Sequence, residues 1–291
     1  VLSACKNLNI KKLITLGSVC SYPKFTPVPF KEEDIWNGYP EETNAPYGIA
    51  KKNLLVGCKA YNDQYGSNFI HLIPVNMYGE HDNFNPEKSH VIPALLKKFI
   101  EAKKNGDTSV TVWGDGTASR EFLYAGDCAK AIELSIEGYN CPDPINIGTG
   151  KEISIKDLVS LVKGVVGYTG EINFDTSKPN GQPRRCLDTS KAEKELGFVA
   201  ETSFEEGLKK TKARDERKNS LSLENGICLI RLNPDYSKEK LFARLRQILS
   251  DNEGHEIHVN KQDDSLSIYE EEVTNQNLAQ LICNRDKSFS N

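Results

Sequence analysis

Tyr47 and Lys51 lie four residues apart in the stretch Asn-Ala-Pro-Tyr-Gly-Ile-Ala-Lys. Residues at positions i and i+4 share one face of a helix, so the phenol and the ammonium can point into the same site. A free tyrosine has a pKa of about 10, but a cation about 4 Å away favours the ionised phenol by roughly 4 kcal/mol at an effective dielectric constant of about 20. The pair could therefore transfer a proton at neutral pH. An isolated Tyr-x-x-x-Lys is more often part of an ordinary amphipathic helix, so the surrounding sequence must decide.

A short apolar strand upstream ends in small polar residues. The run Leu13–Leu16 is followed by Gly17, Ser18 and Cys20. Such a run is typical of a buried parallel strand, and ligands of open α/β sheets bind at the carboxyl ends of the strands. Of the eight cysteines in the chain, only Cys20 has a position that suggests chemistry.

Hydrophobic periodicity predicts alternating strands and helices over residues 1–212, which is an α/β pattern. Apolar residues recur at helical spacing from Tyr47 to about Tyr65 and again from Val91 to Lys104. The apolar run Phe69–Val75 is predicted to be a buried strand, with His71 as a core residue rather than a catalytic one. Further strands are predicted over Val110–Trp113, Glu121–Tyr124, Ile145–Gly148 and Glu171–Phe174, and further helices over Asp127–Glu137, Asp188–Leu196, Ser203–Lys212 and from a Ser154 cap through Val165.

Composition and charge argue against several classes of function. The chain has 291 residues, a formal net charge of −4 and a sequence pI near 5.9, so no basic surface for nucleic acid or membranes is expected. No apolar run approaches the roughly 18 residues of a membrane-spanning helix, and no signal-peptide pattern opens the chain. The cysteines show no C-x-x-C pair, which predicts neither a metal site nor a disulfide framework. We expect a cytoplasmic protein that acts on a small molecule, with no nucleic-acid or membrane partner.

Three longer motifs make the pattern around Ser18 and Tyr47 much more specific. They are Pro-Val-Asn-Met-Tyr-Gly at 74–79, His-Asp-Asn-Phe-Asn-Pro-Glu-Lys-Ser-His at 81–90 and Val-Trp-Gly-Asp-Gly-Thr-Ala-Ser-Arg-Glu-Phe at 112–122. From residue 1 to about 212, the chain resembles the extended short-chain dehydrogenase/reductase family of nucleotide-sugar enzymes. Within that family, the motifs are most similar to those of enzymes that epimerise GDP-4-keto-6-deoxy-mannose and reduce it with NADPH to GDP-L-fucose. The resemblance implies a Rossmann-like doubly wound parallel sheet with a small α/β substrate-binding part.

The resemblance also implies a role for each of five catalytic candidates. Cys20 would remove the protons from C3 and C5 of the keto sugar as a thiolate, and His90 would return protons from the opposite face. Tyr47 would protonate the C4 oxygen during hydride transfer, while Lys51 tunes Tyr47 and holds the cofactor ribose. Ser18 would donate a hydrogen bond to the keto oxygen, where charge develops.

Binding residues follow from the same resemblance. The nicotinamide side of NADPH would be lined by Leu16, Gly17, Ser18, Val19, Lys51, Pro74, Val75, Asn76, Met77 and His90. The GDP-sugar substrate would face Lys98, Trp113, Arg120 and Asn180. Lys98 stands where the family often has arginine, which weakens any bidentate phosphate contact, and Asn180 stands where aspartate is common.

One part of the family pattern is absent from the sequence. A dinucleotide-binding fold opens with a strand, a glycine-rich turn and a helix whose N-terminus holds the pyrophosphate, and the chain contains no Gly-x-Gly-x-x-Gly. Residues 1–12 are predicted to be the end of a helix, so we expect the domain to be N-terminally truncated by about three βα units relative to the family. We accordingly expect this chain to bind NADPH poorly and to complete little or no turnover, and a complete protein to be a homodimer.

The composition changes after residue 212. A charged run over 214–218 predicts a linker at 213–225, which separates an NAD(P)-dependent epimerase/reductase domain at 1–212 from a small α+β module at 226–291. This extra C-terminal module resembles no family. Its predicted strands are Ile227–Leu232, Glu256–Val259 and Leu266–Tyr269, and its predicted helix is Lys238–Leu249.

Two alternatives stay open from the sequence. The first is a related NAD(P)-dependent nucleotide-sugar 4-epimerase or dehydratase, although a dehydratase would need an acidic residue beside the strand-end serine, where this chain has Val19 and Cys20. The second is a non-catalytic remnant that acts as a scaffold for the C-terminal module. The absent phosphate-binding turn favours the remnant, whereas the intact set of five catalytic candidates favours an enzyme.

Overall fold

The computed structural model describes residues 1–80, 82–85, 89–178, 180, 182–213, 258–262 and 265–269. The chain divides into two units, Val1–Lys212 and Ala213–Asn291. All of the candidate site residues fall in the first unit. The predicted strand at 227–232 and the predicted helix at 238–249 lie outside the described residues, so the domain organisation proposed for the second unit stays a prediction.

Helices and strands alternate along the first unit, as the α/β pattern predicts. Short 3-10 helices occur at Val19–Ser21 and Glu32–Trp36, and residues 204–213 are helical. The remaining elements, in chain order, are α1 (Leu2–Asn7), β1 (Leu13–Leu16), α2 (Ala45–Tyr65), β2 (Phe69–Pro74), β3 (Asn76–Tyr78), α3 (Val91–Asn105), β4 (Ser109–Trp113), β5 (Ser119–Tyr124), α4 (Ala125–Gly138), β6 (Ile145–Ile147), β7 (Glu152–Ser154), α5 (Ile155–Val166), β8 (Glu171–Asp175), α6 (Ser190–Leu196), β9 (His258–Gln262) and β10 (Ser265–Tyr269).

A parallel sheet with the strand order β1-β2-β6 lies at the centre of the first unit. Leu16 pairs with Leu72, and Leu72 pairs with Ile145 on the other side. Every residue of β2 is buried, which explains why the sequence of this strand is apolar without alternation. Helices α2 and α4 both pack against β1. The predicted strands at Leu13–Leu16 and from Phe69 are therefore confirmed, although in Leu13–Leu16 only Thr15 is fully buried.

A second group of strands surrounds β5. This strand pairs in parallel with β3 and antiparallel with β7, while β4 and β8 form a separate parallel pair. The sequence did not predict β3 and β7. Each has three residues, which is too short for a hydrophobic period, and each becomes a strand because β5 supplies the hydrogen-bonding partner.

Two hydrophobic cores meet at β5. Alternate residues of a strand point to opposite faces, and accordingly Leu123 lies in one core while Phe122 lies in the other. The first core surrounds the central sheet and includes Val19, Ile70, Leu72, Leu123, Ile145 and Leu187. The second core packs α3 and α5 against the β4–β8 pair and includes Leu95, Phe99, Val112, Phe122, Leu158 and Val162.

The starts of α5 and α6 show how local hydrogen bonds set helix boundaries. Ser154 caps α5, as predicted, because its Oγ accepts a hydrogen bond from the Asp157 N–H at 3.0 Å. Helix α6 begins at Ser190 rather than at the predicted Asp188. The Asp188 carboxylate accepts a hydrogen bond from the Ser190 N–H at 2.9 Å, which keeps Asp188 ahead of the helix.

The described part of the second unit is an antiparallel hairpin. Strands β9 and β10 pair over five residues each, with Val259 opposite Ile268. The strand predicted to begin at Leu266 is confirmed within one residue. The preceding strand continues to Gln262, past its predicted end at Val259, because β10 offers pairing partners along that whole length.

Candidate active site

The carboxyl ends of β1 and β2 lie side by side and carry most of the predicted cofactor-side residues. The Gly17 N–H donates to the Leu72 carbonyl at 2.7 Å, which extends the pairing one residue beyond β1. The segment Leu16–Val19 therefore adjoins the segment Pro74–Met77 at one sheet edge. Val19 belongs to the first core and is buried, so its side chain is not available to a ligand at this edge.

Ser18 begins the short 3-10 helix that carries Cys20. Its Oγ accepts a hydrogen bond from the Cys20 N–H at 3.2 Å, and its own O–H remains a potential donor. Both side chains are partly buried. One turn at the end of β1 therefore carries both a hydroxyl and a thiol.

Helix α2 approaches this turn at Gly48, next to Tyr47. A Cβ atom at Gly48 would lie 2.3 Å from the Cys20 carbonyl oxygen, so only glycine allows the approach. The Ser21 hydroxyl donates to the Gly48 carbonyl at 3.2 Å and fastens the contact. Tyr47 is thereby placed beside the Ser18–Cys20 turn, with 52% of its surface exposed.

Lys51 connects Tyr47 to the end of β1. Its Nζ lies 5.6 Å from the centroid of the Tyr47 ring, within the range of a cation–π contact, and donates to the Leu16 carbonyl at 2.8 Å. The two side chains therefore share one site, as their spacing predicts. An ammonium has three hydrogens, so two are left for a ligand.

His71 is a core residue, as the sequence predicts. Its Nδ1 lies 2.8 Å from Thr15 Oγ1, and the residue is 1% exposed. Burial, and then the charge of Lys51, lower the pKa of His71 to about 4, so its ring is neutral at pH 7. A Cβ atom at Gly17 would lie 2.4 Å from His71 Nε2. Any larger residue at position 17 would therefore clash with the His71 ring.

His90 is not joined to the other catalytic candidates. It occupies the N-cap position of α3, is exposed and makes no side-chain capping hydrogen bond. Across the described residues, no hydrogen bond links His90 to Cys20 or Tyr47. Its roles in catalysis and cofactor binding stay predictions.

A second arginine, Arg185, lies near Arg120 and also contacts Cys20. Arg185 was not predicted from the sequence. Burial, and then the charge of Arg185, lower the pKa of Arg120, and Arg120 Nη1 donates to the Ser119 carbonyl at 2.6 Å. Arg185 Nη1 in turn lies 3.6 Å from Cys20 Sγ. The signal that could have found Arg185 is its place in the Pro/Gly/Arg segment that also holds Asn180.

The other substrate-side candidates form a separate group around the end of β4. Trp113 is 69% exposed, and the Lys178 ammonium lies 5.6 Å from its ring centroid. Asn180 Oδ1 accepts a hydrogen bond from the Asp115 N–H at 2.9 Å, a contact that an aspartate could also make. Lys98 is exposed and donates to the Thr111 carbonyl. Lys98 and Asn180 thus contact residues in or just after β4, the strand that ends at Trp113, and in the described part of the chain no hydrogen bond joins these three candidates to Cys20 or Tyr47.

Glu121 organises the loops beside the site, and the sequence analysis did not select it either. The carboxylate is fully buried and accepts hydrogen bonds from the backbone N–H groups of Thr149 at 2.5 Å, Gly150 at 2.8 Å and Leu187 at 2.7 Å. It thus ties the loop after β6 and the segment after Arg185 to β5. An acidic residue at the start of an apolar run was the available signal.

The parallel sheet and the side chains at its carboxyl edge define a Rossmann-like α/β protein, with a candidate active site between β1, β2 and the start of α2. The chain belongs to the NAD dependent epimerase/dehydratase family, whose sequence profile matches residues 1–148. The fold class and the family resemblance predicted from the sequence are therefore confirmed.

Relatives in this family extend the match along the first unit. GDP-L-fucose synthase 1 from Arabidopsis thaliana is 45% identical over 202 residues, which are 69% of this chain and 62% of that protein. GDP-L-fucose synthase from Escherichia coli K12 is 43% identical over 220 residues, which are 72% of this chain and 68% of that protein. The chain thus spans less than two thirds of the length of the Arabidopsis relative.

Solved structures agree with the fold. A GDP-L-fucose synthetase from Naegleria fowleri bound to NADP superposes with a TM-score of 0.72 at 31% identity, covering 75% of this chain and 70% of that one. UDP-glucose 4-epimerase from Thermotoga maritima superposes with a TM-score of 0.67 at 26% identity, covering 75% and 67% of the two chains.

Proposed function

We propose that this chain is part of an enzyme that converts GDP-4-keto-6-deoxy-mannose to GDP-L-fucose by epimerisation at C3 and C5 and reduction at C4. The observation that carries the proposal is the tight contact between Gly48 and the Cys20 carbonyl. Ser18, Cys20 and Tyr47 belong to the two segments that this contact joins, and their hydroxyl, thiol and phenol are groups that the two reactions need. Similarity to the GDP-L-fucose synthases of Arabidopsis thaliana and Escherichia coli supports this choice of substrate.

Epimerisation requires a base and an acid on opposite faces of the sugar. The 4-keto group acidifies the protons on C3 and C5, so either centre can invert through an enolate. Cys20 takes the proton as a thiolate, a form that a neighbouring cation favours. His90 returns a proton from the other face, and Ser18 donates a hydrogen bond to the keto oxygen as negative charge develops there.

Reduction uses the phenol beside the same keto oxygen. Tyr47 donates its proton to the C4 oxygen, and the adjacent Lys51 ammonium stabilises the phenolate that results. Bound NADPH supplies the hydride. Because Tyr47 and Cys20 belong to different elements, substitution of one can stop its step and leave the other group in place.

The residues at the sheet edge fit the nicotinamide half of the cofactor. Lys51 keeps two hydrogens for ribose hydroxyls after its bond to Leu16, and Asn76 stands at the start of β3 with its side-chain amide held by the Glu121 carbonyl at 3.3 Å. Met77 is 40% exposed and offers an apolar contact beside it. Across the described residues, no cluster of His, Cys, Asp and Glu could hold a metal ion.

The substrate-side residues fit a nucleotide sugar. Arg120 has no carboxylate partner among the described residues, so its charge is available to the diphosphate. Trp113 presents an exposed ring at the end of β4, Lys98 donates to the Thr111 carbonyl within that strand, and Asn180 accepts from the Asp115 N–H just after it.

The proton exchange that epimerisation requires tests the proposal without any hydride transfer. The chain is incubated in D₂O with GDP-4-keto-6-deoxy-mannose, and deuterium at C3 and C5 is measured by NMR. We expect incorporation at both carbons, and none into GDP-mannose, which has no keto group. Incorporation at C5 alone would favour a dehydratase, and incorporation at neither carbon would overturn the proposal.

Assembly and location are further proposals. Ile49 and Val56 are exposed on α2, at 42% and 48%, which supports a homodimer that covers apolar helix surface. None of the helices that the structure describes has the length and apolarity needed to cross a bilayer. The free thiols among the described cysteines support a cytoplasmic location, because such thiols persist in reducing compartments.

A further inference from the structure

Arg185 is in contact with the sulfur of Cys20. Its Nη1 lies 3.6 Å from Sγ, and both side chains are partly buried. None of the ion pairs found in the described part of the chain involves Arg185. The guanidinium therefore has the thiol, rather than a carboxylate, as its closest candidate for an anionic partner.

The backbone on both sides of Arg185 is fixed by hydrogen bonds. The Pro183 carbonyl accepts from the Ser119 N–H at 2.8 Å, and the Cys186 carbonyl accepts from the Phe30 N–H at 2.8 Å. The Leu187 N–H donates to the buried carboxylate of Glu121 at 2.7 Å. This segment is anchored both to β5 and to the backbone of Phe30. The fold therefore determines the position of Arg185 relative to Cys20.

The side chain of Arg185 is oriented as well. Its Nε donates to Gln182 Oε1, and Gln182 Nε2 donates to the Lys24 carbonyl at 3.1 Å. The neighbouring Arg184 points elsewhere and pairs with Glu152. Of the two adjacent arginines, Arg184 therefore forms an ion pair at the surface, whereas Arg185 contacts the thiol.

Other charged and titratable groups around Cys20 do not replace this contact. From α2, Lys51 directs its ammonium to the Leu16 carbonyl, and Tyr47 is neutral when it holds its proton. From β5, Arg120 adds a second positive charge near Arg185. Two guanidinium groups that repel each other favour an anion beside them, and Cys20 Sγ lies 3.6 Å from Arg185 Nη1.

We propose that Arg185 is a positioning residue that stabilises the thiolate of Cys20 and holds its sulfur toward the sheet edge. The proposal rests on the proposed function, in which Cys20 is the base. It adds the group that favours the thiolate over the thiol and assigns the substrate-side arginine, Arg120, a different role.

The pH dependence of Cys20 alkylation tests this contact directly. Cys20 lies in the tryptic peptide 13–24, which contains no other cysteine, so its reaction with iodoacetamide can be followed by mass spectrometry in the 291-residue chain. We expect Arg185→Gln to move the midpoint of the rate profile upward by about one pH unit, with about tenfold slower alkylation at pH 7. Arg185→Lys should restore most of the rate because it keeps the charge.

Arg184→Gln is the matched control, since Arg184 adjoins Arg185 but contacts Glu152. Its profile should coincide with that of the parent chain. An Arg185→Gln chain with the parent profile, or a shift of equal size in Arg184→Gln, would overturn the proposal. If Arg185→Gln does not fold, Arg185→Lys decides: a profile near that of the parent supports a charge effect, and one moved upward by a full unit rejects it. Alkylation needs no substrate, so the result is independent of whether the chain exchanges deuterium into the keto sugar.

Discussion

The two hydrophobic cores present their candidate residues in different ways. At the edge of the first core, Ser18 and Cys20 are partly buried and held by backbone contacts, including the approach of Gly48. At the edge of the second core, Trp113 and Lys98 are exposed on a strand end and a helix face. Proton transfer needs reacting groups fixed within a fraction of an ångström, whereas binding a large polar substrate needs accessible groups. We therefore propose that the base and the hydrogen-bond donor of the reaction lie at the first core and that much of the substrate recognition lies at the second.

Strand β5 connects the two hydrophobic cores. Arg120 and Glu121 are neighbours on it, and alternate residues of a strand face opposite ways. Glu121 is buried and holds the loops beside the first core, while Arg120 is partly exposed. A ligand that spans both regions would pass over this strand.

Acidification should weaken the first core through His71. The pKa of His71 is lowered from 6.5 to about 4 in the folded chain, so protons bind preferentially to the unfolded chain. The stability that the neutral ring allows is complete above pH 6.5 and is lost as the pH falls toward 4, by about 3 kcal/mol. Urea unfolding at pH 7 and pH 4 should show this loss. His71→Asn should lose about 3 kcal/mol less over the same range, and an equal loss in both chains would contradict a buried neutral His71.

Adding one methyl group should lower the free energy of unfolding at Gly48 and raise it at Gly164. Gly48→Ala places Cβ against the Cys20 carbonyl and should lower the free energy of unfolding by about 2 kcal/mol. It should also slow deuterium exchange, because α2 must move away from the catalytic turn. Gly164→Ala on α5 meets no atom within 4 Å and should raise the free energy of unfolding by about 0.5–1 kcal/mol. Urea unfolding measures both, and equal effects would contradict the close approach at Gly48.

Removing the guanidinium of Arg120 should weaken substrate binding without removing the base. Hydrogen bonds to charged groups contribute about 1.5–3 kcal/mol, so Arg120→Ala should raise the KM for deuterium exchange more than tenfold. Arg120→Lys should show a smaller increase, because lysine keeps the charge but not the fork geometry. An unchanged KM for Arg120→Ala would show that β5 does not take part in recognition.

The sequence predicts the elements around the first core better than it predicts the substrate-side candidates near the second core. Leu13–Leu16 and the helix around Tyr47 have strong local patterns, and the structure has both elements at the predicted positions. Lys98, Trp113 and Asn180 have no such pattern and were selected only through the resemblance. Their grouping depends on the pairing of β4 with β8, which joins residues about 60 apart and leaves no local signal.

Arg185 and Glu121 mark the limit of sequence reasoning at the catalytic site itself. Arg185 is separated by 165 residues from Cys20 in the chain, and its neighbour Arg184 is chemically identical. Only the anchoring of the segment to Glu121 and Phe30 decides which arginine reaches the thiol. The β3 and β7 strands were missed for a similar reason, because their pairing with β5 is a property of the folded chain.

The division of labour between Cys20 and Tyr47 is the central claim, and one comparison measures it. Cys20→Ser and Tyr47→Phe are each incubated in D₂O with GDP-4-keto-6-deoxy-mannose beside the parent chain, and deuterium at C3 and C5 is followed by NMR. We expect Cys20→Ser to abolish incorporation at both carbons, since a serine hydroxyl is far less acidic than a thiol, while Tyr47→Phe exchanges at close to the parent rate. Exchange at the parent rate in Cys20→Ser would show that Cys20 is not the base.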